Sequence, residues 1–403
     1  MATQATRFPG STGQMLAASL EMPVVPVRAV ALFAHCFTCT RQSKAATRIA
    51  AALAGEGIAT MRFDFTGLGG SEGDFANAGF AGDVADLVAA ARHLERTVGA
   101  PAVLVGHSLG GAAVLAAAAD IPSARAVVTI GAPFDPAHVL HNIDGDLDAI
   151  ERDGEGAVTI GGRAFRMGRG FLEATRGGDP AARIARLGRA LLVLHAPVDT
   201  LVGIENARAI FEAARHPKSF VSLDSADHLL TRASDAEYAA RLIAGWAERY
   251  LPPGGEGPQI APGQVYAGNA NSKWGTAIRA RHHHWFADEP REVGGEDAGP
   301  GPYDLLLAAL GACTAMTLRY YAGREGLPLE HAEVRLTHDR NHADDCAHVL
   351  EPGTRIEAIR RSVRLTGAAL TAEQRAKLMQ IADRCPVHRT LTGHLHIHTV
   401  GED

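Results

Sequence analysis

The residues Gly106-His107-Ser108-Leu109-Gly110 stand between an apolar run, AVLV, and a run of small residues, GAAVLAAAA. A serine hydroxyl attacks a carbonyl only when a base takes its proton and when it stands clear of the backbone. A sharp turn from strand to helix exposes it, and glycines on either side let the two elements close together. The remaining parts of such a nucleophile lie downstream in the order serine, acid, histidine: Asp199 in HAPVDTLV and His228 in SADHLL. Asp199 would hold the imidazole of His228 in one tautomer, while His228 takes the proton of Ser108 and returns it to the leaving group. Asp224 and Asp227 are rival acids. They rank below Asp199, because a carboxylate beside the histidine in sequence reaches its far ring nitrogen poorly. A tetrahedral oxyanion needs two backbone N–H donors, one after the nucleophile and one after an early strand. Those positions are Leu109 and, in the segment ALFAHCFTCT, Phe37. The chemistry expected of such a set is acyl transfer to water through an acyl-Ser108 intermediate.

Cysteines are the second group able to do chemistry. Cys313 lies inside an apolar helical pattern and Cys385 at the end of another, and lone cysteines on helices are ordinarily buried fillers. Cys36 and Cys39 form a CxxC pair, which is redox active in a thioredoxin-like setting. In a loop that carries an oxyanion donor the pair reads as two partly buried small residues, with peroxide sensing as the less favoured alternative.

These side chains need elements to hold them. Apolar runs at 28–34, 58–63, 102–106, 126–131, 190–196 and 219–223 have strand length, and helical patterns such as 80–97 lie between most of them. Strands alternating with helices predict an α/β, doubly wound, mostly parallel sheet over residues 1–250. The stretch 134–187, rich in Gly, Asp and Arg, breaks that rhythm and reads as an inserted lid without core strands. A helix at 235–250 precedes LPPGGEGPQIAPGQ (251–264), a Pro/Gly linker that neither helix nor strand can cross. Residues 265–403 then read as a second, α+β domain. It has a strand-like start at 265–288, helices at 302–325 and 371–385, strands at 331–338 and 354–366, and a closing strand GHLHIHTV. The second helix opens on the capping box Thr371 to Gln374.

The 403 residues are enough for two cores, and a net charge of -6 without a basic block argues against nucleic acid as a partner. The N-terminus lacks a basic start followed by a long apolar run, and no apolar stretch reads as a membrane span, so a soluble cytoplasmic protein with no membrane partner is expected. Five scattered cysteines do not make a disulfide framework. His338, His342 and Cys346 in one loop, His394, His396 and His398 along one strand face, and the run 282–284 read as surface residues rather than a metal site. No cofactor is called for.

The segment around Ser108, the loop His35-Cys36-Phe37 and the turn MRFDFTGLGGSEGDF (61–75) resemble the α/β-hydrolase family over residues 15–250. The family's usual His-Gly before the oxyanion residue appears here as His35-Cys36, and its Asp-x-x-Gly-x-Gly-x-Ser turn is read as structural. GPYDLLLAALGACTAMTL and RCPVH resemble the OsmC family of thiol-dependent peroxidases, which includes organic hydroperoxide reductases, over residues 268–400. That resemblance implies that Cys313 attacks a peroxide and Cys385 resolves the sulfenic acid. It also implies a homodimer, a thiol reductant, and an arginine held by a glutamate near Cys313. Tyr303 stands at the glutamate position, with Asp304 beside it as a candidate substitute, and Lys273, Arg279, Arg281 and Arg389 are all candidates for the cation. Both halves together resemble hydrolase–OsmC fusions. Small-molecule esters, small or aryl, and organic hydroperoxides are the expected substrates. Hydroperoxide reduction as the main activity, fed by the hydrolase, and a silent second domain serving only dimerisation are the alternatives.

Overall fold

The computed structural model describes residues 2–36, 39–160, 163–176, 178–251, 260–342 and 355–401. The chain divides into two compact units, Met1–Trp285 and Phe286–Asp403.

The first unit opens with β1 (Ala2–Pro9) and β2 (Met15–Met22), an antiparallel hairpin. Then follow β3 (Ala29–Ala34), α1 (Lys44–Gly55), β4 (Ile58–Phe63), α2 (Phe75–Thr97), β5 (Val103–His107), α3 (Leu109–Ala117) and β6 (Ala126–Ile130). An insertion holds β7 (Ile143–Asp144), α4 (Leu147–Asp153), β8 (Glu155–Ile160), β9 (Arg163–Gly168), α5 (Arg169–Arg176) and α6 (Pro180–Ala185). The series closes with β10 (Ala190–His195), α7 (Ile204–Ala213), β11 (Lys218–Ser222) and α8 (Ala233–Ala247). One eight-stranded sheet has the order β1-β2-β4-β3-β5-β6-β10-β11. From β4 to β11 the pairings are parallel, while β2 meets β4 antiparallel. This is the mostly parallel α/β sheet predicted from the alternation.

Strand periodicity explains the two layers of helices. Along β10, Leu191 and Val193 face a core that includes Leu87 and Leu94 of α2 and Ala112 and Ala113 of α3. Leu192 and Leu194 face the other core, with Ile49 and Leu53 of α1 and Ile243 and Ala247 of α8. Each such side chain contributes about 1.5–3 kcal/mol on burial, so a one-residue slip in register would be strongly opposed.

Two segments add detail to the expected layout. The stretch 134–187 gives no strand to the central sheet, and its β7, β8 and β9 form a small antiparallel sheet of their own. Its apolar residues Ile150, Val158, Met167 and Phe171 are buried in the domain core. The strand-rich segment that follows the Pro/Gly linker, β12 (Tyr266–Asn269), β13 (Thr276–Ala280) and β14 (His283–Ala287), begins in the first compact unit, where Asn271 donates to the Val25 carbonyl at 3.1 Å. Residues 252–259 of the linker lie outside the described residues.

The second unit contains α9 (Pro302–Arg324), β15 (His331–His342), β16 (Arg355–Thr366), α10 (Ala372–Ala382) and α11 (Pro386–Thr392). β15 and β16 pair antiparallel, and α9 packs on β15, α10 and α11. By length and composition α9 is able to cross a membrane, contrary to the expectation that no stretch reaches that threshold. Its buried stripe Leu310, Thr314, Leu318 and Ala322 has the i, i+4 spacing of a helix packed in a domain. The closing segment 394–400 is not a strand, and Leu395, Ile397 and Val400 are exposed. Alternating apolar residues make a strand only where a partner edge accepts their backbone hydrogen bonds.

Candidate active site

β5 runs straight into α3, and Ser108 sits at the break with φ 56° and ψ -125°. A residue other than glycine in that region costs about 1–3 kcal/mol and persists only where its surroundings enforce it. Here Ser108 N–H donates to the Ile130 carbonyl at 2.9 Å, and the Ser108 carbonyl accepts from Gly111 N–H at 2.8 Å. The flanking glycines are steric requirements. A Cβ on Gly106 would lie 2.2 Å from the Gly110 carbonyl oxygen, and one on Gly110 would lie 2.4 Å from that of Ala34.

The three residues expected to act together do converge. His228 Nε2 is 3.0 Å from Ser108 Oγ, and His228 Nδ1 is 2.6 Å from Asp199 Oδ2. The other carboxylate oxygen, Oδ1, accepts N–H bonds from Leu201 at 2.9 Å and Val202 at 3.0 Å. Burial alone would raise the pKa of Asp199, but the bonds from His228, Val202 and Leu201 outweigh it and hold the carboxyl below its usual range. The carboxylate is therefore ionised at neutral pH. Gly131, at φ 55°, passes under the pair, and a Cβ there would stand 3.3 Å from both Asp199 Oδ2 and His228 Nδ1. The rival Asp227 caps the turn that follows it, accepting from Thr231 N–H at 2.8 Å and from its hydroxyl at 2.9 Å.

Two histidines that the sequence did not single out position the triad. His195 Nε2 donates to the Val202 carbonyl at 2.7 Å, bracing the turn whose N–H groups hold Asp199. His107 Nε2 donates to the His228 carbonyl at 2.7 Å and so ties the nucleophile strand to the loop of the base. Burial and then the nearby His228 push the His107 pKa down to about 4 from 6.5. Above pH 6.5 the ring is neutral in folded and unfolded chains alike. As the pH falls toward 4 only the unfolded chain takes up the proton, so stability present above 6.5 is lost, by up to about 3 kcal/mol. Thermal unfolding of His107→Gln, which retains an N–H donor, should show a shallower fall in Tm from pH 6.5 to 4 than the parent chain. Equal slopes would show that another group controls acid stability.

Leu109 heads α3, so its N–H points out of the helix start beside Ser108, where a developing anion is favoured. Phe37, the expected second donor, lies outside the described residues. The loop before it is well anchored. His35 Nδ1 donates to the Cys36 carbonyl at 2.8 Å, and Arg41 N–H donates to Asp64 Oδ1 at 2.5 Å. Asp64 also accepts from Gly70 N–H at 2.9 Å and pairs with the Arg41 guanidinium, so the Asp64–Ser71 turn is structural. Cys36 and Cys39 are not independent small residues: they are joined by a disulfide. They are three residues apart in sequence and their Cα atoms stand 5.3 Å apart, within the range a disulfide spans.

In the second unit Cys313 is half-buried, Cys385 is fully buried, and both are free thiols. Cys385 caps α11, its sulfur accepting from His388 N–H at 3.3 Å and lying 3.5 Å from Thr314 Oγ1. Thr314 Oγ1 donates to the Leu310 carbonyl and accepts from Arg361 at 3.0 Å. Arg361, on β16, is thus linked through Thr314 to the Cys385 thiol, and it is not among the cations weighed from the sequence. Asp304 accepts from Gly301 N–H at 3.0 Å and caps its own helix. Tyr303 stacks on His338, ring centroids 4.1 Å apart. Lys273 covers Trp274 and Arg279 donates to His284 at 2.9 Å, both in the first unit, as is Arg281, while Arg389 is on α11. Cys346 lies outside the described residues. Among the described residues no group of three or more His, Cys, Asp or Glu is placed to hold a metal.

An eight-stranded α/β sheet with a strained serine at a strand-to-helix turn and a Ser–His–Asp relay defines a serine hydrolase. Residues 26–147 match the family model described as serine aminopeptidase, S33, and residues 294–400 match that of OsmC-like protein. The esterase domain of a Rhodothermus marinus protein is 47% identical, with a TM-score of 0.53, covering 62% of this chain and 100% of that one. Est1E from Butyrivibrio proteoclasticus, solved with ferulic acid bound, is 18% identical with a TM-score of 0.53, covering 60% and 98%. The α/β hydrolase GrgF from Penicillium sp. sh18 is 16% identical with a TM-score of 0.51, covering 62% and 99%; these two likenesses concern the fold. No curated protein matches the chain. The chain belongs to the α/β-hydrolase family and is a fusion of such a hydrolase with a C-terminal OsmC-like domain.

Proposed function

We propose that the first unit is a carboxylic-ester hydrolase that works through an acyl-Ser108 intermediate. The observation that carries this is the continuous relay from Ser108 Oγ through His228 to Asp199, at 3.0 and 2.6 Å. His228 takes the serine proton as Oγ attacks the ester carbonyl, and the oxyanion forms beside the Leu109 N–H. The proton then passes to the leaving alcohol. Water, deprotonated by the same imidazole, releases the acid and restores the hydroxyl. Small or aryl acyl groups suit the site best, since the apolar side chains named above in the insertion are turned into the core rather than offered to a long lipid chain. A panel of p-nitrophenyl esters of increasing chain length, with aryl esters alongside, tests this: kcat/KM should be highest for short and aryl acyl groups, and a preference for long chains would overturn it.

For the OsmC-like domain we propose thiol peroxidase chemistry. Cys313 thiolate attacks a hydroperoxide, releasing the alcohol and leaving a sulfenic acid. Cys385 then displaces water to form a disulfide that a thiol reductant reopens. The cytoplasm expected from the sequence is where such a reductant abounds. A silent domain used for dimerisation is favoured by a different observation: Met316 and Tyr320 of α9 are 62% and 73% exposed, an apolar face that a second copy would cover. Peroxide consumption by the full chain, abolished in Cys313→Ser, would establish the peroxidase, whereas no turnover with any thiol reductant would leave the dimer role.

A further inference from the structure

Cys36 and Cys39 lie outside the Ser–His–Asp relay and outside the OsmC-like domain, yet Cys36 lies beside the first residues of the helix that follows the nucleophile. Cys36 and His35 line one small cavity together with Leu109 and Gly110. The contact is close: a Cβ on Gly110 would stand 2.4 Å from the Ala34 carbonyl oxygen and 2.5 Å from that of His35. The Cys36 carbonyl is held from two sides, by His35 Nδ1 at 2.8 Å and by Cys39 N–H at 3.1 Å. Beyond the bond, Arg41 is pinned to buried Asp64. The disulfide is therefore the covalent part of a loop whose first residues touch the turn that presents Ser108 and the Leu109 N–H. Cys36 is 4% exposed and Cys39 is half-buried, so of the two sulfurs that of Cys39 is the one an incoming thiol would meet first.

We propose that Cys36 and Cys39 form a second thiol–disulfide site, and that its oxidation state sets the rate of ester hydrolysis at Ser108, high with the bond closed and low with it open. The proposal rests on the ester-hydrolase reading of Ser108. The exchange balances with a dithiol as reductant. One thiolate attacks Cys39 Sγ and the Cys36 thiolate leaves and is protonated. The second thiol of the reductant then displaces Cys39, so two electrons and two protons pass to the protein and the reductant leaves as its own disulfide. Opening the bond frees the Cys36 backbone beside the elbow. Loss of one oxyanion donor's alignment lowers kcat by about 10²–10³ when complete, so partial loosening should appear in kcat more than in KM. In compartments kept reducing, disulfides are rare, and those present are usually transient and catalytic or sensing.

The experiment uses the full chain. Arg28 and Arg41 flank both cysteines, so a tryptic peptide AVALFAHCFTCTR reports their state by mass after alkylation. Graded dithiothreitol should lower kcat for p-nitrophenyl acetate about tenfold or more in step with the doubly alkylated fraction of that peptide. Reoxidation with oxidised glutathione should restore the rate. Cys39→Ser, with unchanged melting temperature, should have the low kcat at all times and ignore the dithiol. If Cys39→Ser fails to fold, the reversible titration of the wild-type chain still decides. Full reduction of the peptide with unchanged kcat would overturn the proposal, as would a peptide that oxidant never closes. Activity that persists in Ser108→Ala would instead overturn the ester-hydrolase reading, and the two failures are told apart by that control.

Discussion

Replacing Ser108 with alanine should lower ester turnover by about 10⁴-fold or more, with KM and melting temperature near those of the parent chain. The size follows from the geometry. Ser108 Oγ is the atom 3.0 Å from His228 Nε2, and without it the imidazole can only activate water that has no covalent acyl acceptor to follow. What should survive is binding and the pull of the α3 N-terminus on a developing oxyanion. Removal of a hydroxyl from a strained φ 56° position has little reason to unfold the domain, because the backbone bonds from Ile130 and Gly111 remain. Release of p-nitrophenol by the purified full chain measures it, with circular dichroism to confirm folding. A loss of less than about tenfold would mean that hydrolysis proceeds without the covalent intermediate.

Asp199→Asn should be nearly as severe, about 10⁴-fold in kcat, for a reason that can be read from its three hydrogen-bond partners. Oδ1 accepts two N–H bonds, from Leu201 and Val202, so an asparagine would place its oxygen there and turn its NH₂ toward His228. Nδ1, 2.6 Å away, would then have to accept rather than donate, and the ring proton would be forced onto Nε2. In that tautomer His228 presents a proton, not a lone pair, to Ser108. The variant should stay folded, since the shape and three of the bonds are retained. Rates near neutral pH decide the matter: if kcat is unchanged, the carboxylate does not control the tautomer.

Local rules carried much of this molecule. The elbow at Ser108 was legible because a strand, a turn and a helix were each written in adjacent residues, and because Gly106 and Gly110 have steric duties within their own neighbourhood. The parallel sheet was legible from runs such as ALLVLH, buried on both faces. The hairpin of β1 and β2 was not, since ATQATRFP has only Thr3 and Thr6 as β-branched residues and MLAASLEM has none, and the two are held by pairing with each other and, for β2, with β4. GHLHIHTV shows the converse: its alternation is that of a strand, and no edge among the described residues receives it.

By itself the sequence singled out Ser108, Asp199 and His228 in that order and the presence of two different domains, because these follow from short-range turn geometry and hydrophobic period. Only the tertiary structure decided which carboxylate reaches His228, that His107 and His195 brace the relay, and that Arg361 is linked through Thr314 to Cys385. It likewise decided that Cys36, which lies beside Leu109 and Gly110, is joined to Cys39. Those facts depend on where distant strands end in space, and the registers that set these positions are fixed by packing between elements, which no short window of residues contains.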